Sequence, residues 1–362
     1  MALSTIPFSG LGADASNQGV NFRNLLINGD MSIAQRATSV SSITSGGYKT
    51  LDRFNIDINS AGTWTMSQST TVPSGQGFAT SLKMDCTTAD ASLSASDYLI
   101  VRTLLEGQNL QQLKFGTSSA ESLTLSFWVR SNKTGTYAVW FYADVGNKSF
   151  SKTYTIDSAD TWEKKTITIN GDTASSFSNN NSIGLRINWY LASGTTYTSG
   201  TLPTNWQSDS NGDRAVGQVN LADNTANEWY ITGVQLEVGT TASDFEFLPY
   251  DVNFQRCQRY FESSCAPLQN PSDGISSVFI MDQAGAHPIY QPMFFNTSKR
   301  AVPTMTFYNG SDGSTGTWRT NLSTNVTVST VTIKVQGFTI NSNDLGVEGA
   351  SSNGSWEADA EL

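Results

Sequence analysis

Short runs in which apolar and polar residues alternate recur along residues 24–250, and they constrain the fold more than any other feature. In SLTLSFWVRS (122–131) every second residue from Leu123 to Val129 is apolar, so one face of an extended segment enters a core while the other meets water or a partner. Turn-forming residues separate the runs, and no long amphipathic helix interrupts them. The pattern predicts an all-β fold in which antiparallel strands form a two-sheet sandwich.

Residues 228–262 mark the end of this pattern. EWYITGVQLEV alternates as a strand does, but the alternation stops after Gly239, and Phe254, Cys257 and Phe261 recur at helical spacing. Further strand-like runs follow with few aromatic residues, which predicts a smaller β-sandwich. We therefore divide the chain into an N-terminal arm (1–23), a β-sandwich (24–250), a short helical linker (251–270) and a C-terminal β tip (271–362).

The predicted tip has too little apolar sequence for a large core of its own. Small β-regions of this kind often complete their cores by packing against symmetry-related copies. The apolar stripe formed by Phe254, Cys257 and Phe261 has no predicted partner within either domain. We therefore expect a homotrimer in which this stripe packs near the threefold axis.

The composition is that of a folded protein with few charges. Apolar residues make up 38% of the 362 residues and charged residues only 14%, against roughly 25% in ordinary soluble proteins. Such a surface is typical of strands that expose Ser and Thr, and it equally suits packed identical subunits and contact with uncharged glycans. The net charge of −10 argues against nucleic acid or an anionic membrane as partner. With no signal-like segment and no apolar run near the roughly 18 residues of a membrane span, we expect neither secretion by a leader nor membrane insertion.

Long segments of the chain carry a family resemblance. They are RNLLINGDMSIAQRATS (23–39), YKTLDRFNI (48–56), LTLSFWVRSNKTGTY (123–137), DTWEKKTITINGDT (160–173) and the stretch from YITGVQLEVG to CQRYF (230–261). They resemble a group of bacteriophage tail-fibre and virion-surface proteins. In that group a jelly roll similar to carbohydrate-binding modules opens with an N-L-L-I-N-G-D/G strand, closes with Y-I-T-G-V-Q-L-E-x-G and is followed by C-Q-R-Y-[FY]. The resemblance extends to FFNTSKRAVPTMTFYNG (294–310) and WEADAEL (356–362).

The resemblance implies a virion fibre protein, assembled in the host cytoplasm, that recognises the host surface through glycan. Fibres of this group attach through their N-termini, so residues 1–23 would dock on other virion proteins; a disordered terminus is the alternative. Two other functions stay open, namely a head-decoration or fibre-attachment protein without a receptor role, and a glycan depolymerase.

A structural calcium ion is the one cofactor that the resemblance raises. In carbohydrate-binding modules of this fold it often lies near the first and last strands, held by carboxylates and carbonyls. Asp30 matches the first-strand position, but Thr232 and Gly233 stand where an acidic pair is common. Asp30 therefore has two open roles, a calcium ligand or a turn cap.

The sequence offers no catalytic constellation. His287 is the single histidine, and no G-x-S-x-G elbow or cysteine signature accompanies it. Cys86, Cys257 and Cys265 have no zinc-site spacing, and we expect them to be unpaired thiols in small apolar niches. A glycosidase needs two carboxylates flanking a cleft, but tail spikes that cleave polysaccharide are usually repetitive β-helices, and no repeat appears. We predict no enzymatic activity.

Exposed aromatic side chains are the candidates for glycan contact, because sugar rings stack on Trp and Tyr. Trp189 and Tyr190 are adjacent in a strand, so one of them must face away from the core. Tyr197 and Trp206 belong to a long loop rich in Gly, Thr and Asn, and Trp318 lies in GSDGSTGTWRTN. Ordinary packing under a loop is the alternative for each residue.

Overall fold

A computed structural model describes residues 22–265, 269, 271–274, 278–281, 290–320, 323, 325–328, 330–341 and 351–362. His287 and the predicted arm, apart from its last two residues, lie outside these ranges. The predicted all-β architecture is confirmed, since the described residues form antiparallel sheets with only short helices between them. Within the same ranges, no helix is long and apolar enough to cross a membrane.

The first domain is a sandwich of two antiparallel sheets. Its strands are β1 (Ser39–Ile43), β2 (Gly47–Tyr48), β3 (Phe54–Asn59), β4 (Thr63–Ser69), β5 (Ser81–Thr88), β6 (Tyr98–Glu106), β7 (Leu123–Ser131), β8 (Gly135–Ala143), β9 (Lys148–Ile156), β10 (Glu163–Ile169), β11 (Ile183–Ser193), β12 (Gln207–Ser208) and β13 (Glu228–Val238). The first sheet has the order β1-β4-β5-β13-β7-β10, and the second has the order β12-β9-β8-β11-β6-β3-β2. Successive strands cross repeatedly between the sheets, as in a jelly roll.

The alternation in each strand builds the core between these two sheets. Phe127 of β7, in the first sheet, points inward, and its ring centre lies 5.9 Å from that of Trp189 in β11 and 5.1 Å from that of Tyr154 in β9. Both partners belong to the second sheet. The predicted jelly-roll sandwich is therefore confirmed.

The opening segment, residues 24–30, is not the strand that the resemblance implied. It is irregular, and Asn28 has a left-handed φ of 62° that interrupts an extended backbone. The segment still lies along β13, because the N–H of Leu25 donates to the Leu236 carbonyl at 2.9 Å. The Asn28 amide adds bonds to the carbonyls of Ile33 and Asp52, both at 2.9 Å. Side-chain bonds thus replace the expected strand ladder.

The helices are short. A 3-10 helix follows β6, and of the three apolar residues at helical spacing only Phe254 and Cys257 lie in a helix, since that helix ends at Gln258 before Phe261. The α-helices are α1 (Thr195–Thr198) and α2 (Tyr250–Gln258), and the 3-10 helices are Gly107–Leu113, Asn211–Asp213, Leu221–Asp223 and Pro271–Asp273.

The C-terminal region forms a second, smaller sandwich, as predicted. Its strands are β14 (Phe261–Ser263), β15 (Val278–Met281), β16 (Tyr290–Phe294), β17 (Thr304–Asn309), β18 (Thr317–Thr320), β19 (Asn325–Thr327), β20 (Thr330–Lys334), β21 (Gly337–Asn341) and β22 (Ser351–Asp359). β22 pairs with β14 and β15 on one edge and with β17 and β18 on the other, while β16, β21 and β20 form a separate sheet. Phe307, Trp356 and Phe338 pack between the two sheets.

The predicted linker is a packed junction, not a free hinge. Asn253 of α2 is buried against the first domain, where its Nδ2 donates to Asp30 Oδ1 at 3.1 Å. Phe261, three residues beyond α2, already pairs with Asp359 at the end of β22. The change from one domain to the other therefore takes place within 251–263.

Two residues of the predicted oligomer stripe are buried inside the chain, which corrects that expectation. Cys257 is enclosed in the junction, and Phe261 is covered by the Arg36 guanidinium 3.8 Å from its ring centre. Their partners come from the first domain and from β22, which the sequence pattern did not connect to them. Phe254 alone stays partly exposed, with its ring stacked 5.9 Å from that of Tyr250.

Candidate functional site

The outer face of the second sheet, turned away from the main core, gathers aromatic and charged side chains on β3, β6, β8 and β11. The strand register places Asn188 of β11 opposite Trp140 of β8 on one side and opposite Arg102 of β6 on the other. One step along the same face, Arg186 lies opposite Tyr142. Residues at alternate positions share a face, so the pattern of each strand sends these side chains outward.

Three arginines of this face each pair with a carboxylate. Arg186 reaches Asp144 through Nη2 at 2.7 Å and Nε at 3.2 Å, in a forked geometry. Arg102 pairs with Asp57 and also donates from Nε to Asn55 Oδ1 at 2.8 Å. The third pair joins Arg214 and Asp209, which follow β12. Within each pair, the carboxylate fixes the plane of the guanidinium group and neutralises its charge.

Aromatic rings lie among these pairs. The ring centres of Trp140 and Tyr142 are 5.2 Å apart, and those of Tyr98 and Tyr197 are 5.4 Å apart with the rings nearly perpendicular. The Arg214 guanidinium lies 4.3 Å above the Trp140 ring, within the range of a cation–π contact. Tyr98, Tyr142 and Tyr197 are partly exposed, so their rings form flat apolar surface next to polar groups.

The loop between β11 and β13 covers one end of the face. The N–H of Ala215 donates to the Tyr197 carbonyl at 2.8 Å, and Gln218 Oε1 accepts from the N–H of Ala138 in β8 at 2.7 Å. Tyr190 is buried beneath this loop, against Ala138 and Ala215. The outer face of the sheet thus forms the floor of a shallow surface, and the loop bounds it on one side.

A row of buried polar atoms without partners lies under the aromatic layer. It consists of Asn188 Oδ1, Trp140 Nε1 and Ser151 Oγ, and the register places these residues side by side across β11, β8 and β9. An unsatisfied buried polar group costs roughly 1–3 kcal/mol. These buried donors and acceptors are of the kind that ordered water satisfies.

The protonation states on this face are fixed near neutral pH. Burial, reinforced by Asp57, raises the pKa of Tyr98 to about 12. Burial likewise raises the pKa of Tyr142 and of Tyr190. Burial opposes the charge of Arg214, but the hydrogen bond to Asp209 and the charge of Asp209, together with Tyr190 and Tyr197, outweigh burial and raise the pKa of the guanidinium. The tyrosines are thus neutral hydrogen-bonding groups, and Arg214 is a cation.

The structure separates the predicted glycan-contact residues. Tyr190 and Tyr197 belong to the outer face, with Tyr190 buried in its floor and Tyr197 partly exposed. Trp189 and Trp318 are 0% and 1% exposed, in the cores of the first and second sandwich, so the expectation that they reach the surface is wrong. Trp206 is partly buried; its Nε1 donates to the Asn170 carbonyl at 2.7 Å, and its ring packs on the main core.

Five residues of this face are not among those predicted from sequence, namely Trp140, Tyr142, Tyr98, Arg102 and Arg186. The alternation that predicted the strands also contained the signal for them. In YAVWFYAD (137–144), Trp140 and Tyr142 share a face, and in IGLRINWYLA (183–192), Arg186 shares its face with Asn188 and Tyr190. Aromatic and charged residues on the outward face of adjacent strands mark such a surface.

The Asp30 carboxylate is hydrogen-bonded to neighbouring side chains. Asp30 Oδ1 accepts from Ser32 Oγ at 3.0 Å and from Asn253 Nδ2 at 3.1 Å. Among the described residues no cluster of three or more Asp, Glu, His or Cys could hold a metal ion. In this structure Asp30 ties α2 to the first domain.

No protein-family model and no curated protein sequence matches the chain. Among solved structures, the enzymatically active domain of tailspike protein 4 of bacteriophage CBA120 is 13% identical with a TM-score of 0.32; the match covers 60% of this chain and only 21% of that one. A putative sugar binding protein from Bacteroides thetaiotaomicron is 15% identical with a TM-score of 0.30, covering 59% and 99% of the two chains. A family 11 carbohydrate-binding module from Clostridium thermocellum is 10% identical with a TM-score of 0.27, covering 57% and 99%. At these values the similarities assign no function to this chain.

Proposed function

We propose that this chain is a non-enzymatic virion fibre protein that binds glycan on the outer face of its second sheet. The observation that carries the proposal is the meeting, on one partly exposed face, of aromatic rings with forked arginine–carboxylate pairs. Tyr142 beside the pair of Arg186 and Asp144 is the clearest example.

The chemistry of this face suits a sugar. A sugar ring has an apolar CH face that stacks on a tyrosine or tryptophan ring, and a rim of hydroxyl groups that both donate and accept. The Arg186 guanidinium lies over one face of the Tyr142 ring, 5.4 Å from its centre, and its pair with Asp144 places donors and acceptors beside that ring. Because each arginine of the face has a carboxylate partner, the face fits an uncharged glycan better than a polyanion.

The same pairing favours binding over catalysis. Glycoside hydrolysis requires one carboxyl group that is protonated and a second that is free to act as base or nucleophile. Asp57, Asp144 and Asp209 are each held by an arginine. We therefore propose recognition without cleavage, and release of reducing ends from host polysaccharide by the purified protein would contradict it.

The place on a virion fibre rests on the sequence resemblance. A single shallow face binds one glycan weakly, and several copies on one fibre raise the overall affinity without any new contact. We propose a homotrimer for this reason, with the exposed ring of Phe254 near the axis. Light scattering should give about three times the 39.1 kDa of one chain, and Phe254→Asp should lower the mass to that of a monomer with an intact first domain. A monomeric wild-type chain would contradict the trimer.

The proposed function has a direct test in two steps. The purified chain is applied to an array of bacterial surface glycans, and it is then used to block adsorption of intact phage to host cells. Glycan binding together with blocked adsorption supports a receptor-binding fibre. Binding of no glycan and no effect on adsorption would favour a structural role in the virion instead.

A further inference from the structure

A cavity of about 360 Å³ lies where the first domain meets α2. Its walls come from the opening segment (22–27), from the end of β6 with the following 3-10 helix (103–112), and from the end of α2 with the residues after it (256–260). None of the aromatic and charged residues described above on the outer face of the second sheet lines it, although Leu104, which lies opposite Arg186, borders both. Its volume is near the lower end of the roughly 300–1,000 Å³ of small-molecule pockets.

Both apolar and cationic residues line the cavity. Leu25, Leu104 and Leu105 contribute apolar groups, while Arg53, Arg256 and Arg259 contribute guanidinium groups. Gln108, Asn109 and Gln112 are exposed side chains of the lining, which places them where the cavity meets solvent. A ligand of matching chemistry has an anionic group attached to a compact body.

Two of these arginines already have carboxylate partners. Arg259 makes two bonds of 2.9 Å with Glu106, through Nε and Nη2. Arg53 pairs with Glu361 and lies 3.5 Å from the ring centre of Tyr260. Their charges are thus compensated within the protein.

Arg256 differs from them. In the part of the chain that the structure describes, no carboxylate oxygen lies within 4.0 Å of its guanidinium, and its contact is the Phe22 ring, 5.8 Å away. Glu246 acts on it electrostatically, but the Glu246 oxygens accept the N–H groups of Phe22 and Asn24 at 2.7 and 2.9 Å. Burial lowers the pKa of Arg256. The partly buried Arg256 guanidinium, with no carboxylate in contact, can therefore form an ion pair with an anion that enters the cavity.

We propose that this cavity binds a small organic anion, a carboxylate or phosphate ester on a body about the size of a monosaccharide, with Arg256 pairing with its anionic oxygens. This site is separate from the proposed glycan-binding face, so either can fail without the other. The guanidinium fork favours a planar or tetrahedral oxyanion over a halide, and the leucine side chains pack against the body of the ligand.

Calorimetric titration of the full chain at pH 7 and low salt tests the proposal. The probes are glucuronate, glucose 6-phosphate, inorganic phosphate and neutral glucose. We expect saturable binding of glucuronate or glucose 6-phosphate and none of glucose. The sugar anion that binds identifies whether the site prefers carboxylate or phosphate. Inorganic phosphate binding as tightly as glucose 6-phosphate would overturn the claim for an organic body.

Variants separate a specific site from general charge. Arg256→Gln should weaken binding about tenfold or more, because a charge-assisted hydrogen bond is lost. Arg256→Lys, which keeps the charge and loses the fork, should be intermediate and covers the case in which the glutamine variant fails to fold. The matched control is Arg319→Gln, which changes a partly exposed arginine of β18 that is bonded to Asn325, and this variant should bind as wild type. No binding of either sugar anion, or equal loss in the Arg256 and Arg319 variants, would overturn the proposal.

Discussion

The junction between the two domains should depend on Glu106, the last residue of β6. Its side chain is 0% exposed, and it accepts from Arg259 twice at 2.9 Å and from the Tyr260 hydroxyl at 2.6 Å. Glu106→Gln keeps the size of the side chain but removes its charge. An amide NH2 group, which is a donor, then takes the place of one carboxylate oxygen and faces the donors of Arg259 and Tyr260. Breaking a buried ion pair costs about 3–5 kcal/mol. Arg259 is 31% exposed and can regain water, so we expect a loss of about 2–3 kcal/mol.

Urea denaturation at pH 7 measures this loss, with Glu121→Gln as the matched control. Glu121 also pairs with a cation, Lys114 at 2.6 Å, but the two side chains are 37% and 55% exposed, so its loss should stay below about 1 kcal/mol. Equal denaturation midpoints for the two variants would refute the reasoning.

The Glu106 pair also has a pH dependence of known sign. Burial alone would raise the pKa of Glu106, but the hydrogen bonds from Arg259 and Tyr260 and the positive charges of Arg259 and Arg300 together outweigh burial and lower it below the usual 4.5. The stabilisation is therefore present above about pH 4.5 and is lost as the pH falls through the lowered pKa of the folded state. Glu106→Gln should lack this loss in acid.

Two further substitutions test the interior. Burial raises the pKa of Asp52 from 3.8 to about 6 although Arg36 opposes the shift, so the folded state binds the proton more tightly than the unfolded state does. As the pH falls from 6 to 4 in denaturant titrations, the wild type should gain about 2 kcal/mol over Asp52→Asn; parallel pH profiles would contradict this. At Gly29 an added Cβ would lie 2.0 Å from the Val234 carbonyl oxygen, so Gly29→Ala should cost about 3 kcal/mol or more. The control is Gly75→Ala, whose added Cβ has no atom within 4 Å and which should cost only about 1–2 kcal/mol because the backbone there is left-handed. Equal melting temperatures for the Gly29→Ala and Gly75→Ala variants would contradict the predicted clash.

Most strands of both sandwiches were predictable from sequence, because alternation is a local property and each strand buries one face. Residues 24–30 were not, because Asn28 and its neighbours bond through side chains to segments that are distant in sequence. The burial of Phe261 depends on pairing with Asp359, almost a hundred positions away. Local periodicity carries no information about such partners.

The candidate site was predictable only in part. Alternation correctly predicted that Tyr190 and Trp189 lie on opposite faces of the strand. It could not show that the loop carrying Tyr197 and Ala215 covers the outer face of the sheet. Trp318 looked exposed within a polar loop, yet it begins a strand pairing and fills the small second core. Whether a ring is exposed depends on what packs over it, and that is decided by tertiary contacts.

The most direct test of the account is calorimetric titration of an array-selected glycan into Tyr142 variants. We predict that Tyr142→Ala binds about tenfold more weakly, since an aromatic contact residue is commonly worth more than 1 kcal/mol, and that Tyr142→Phe retains most of the affinity through its ring. The control is Trp162→Ala, which removes a partly exposed ring that packs on Tyr230 of the first sheet. This variant should bind the glycan as the wild type does. Full affinity in Tyr142→Ala with loss in Trp162→Ala would contradict the account and place the glycan on the opposite face.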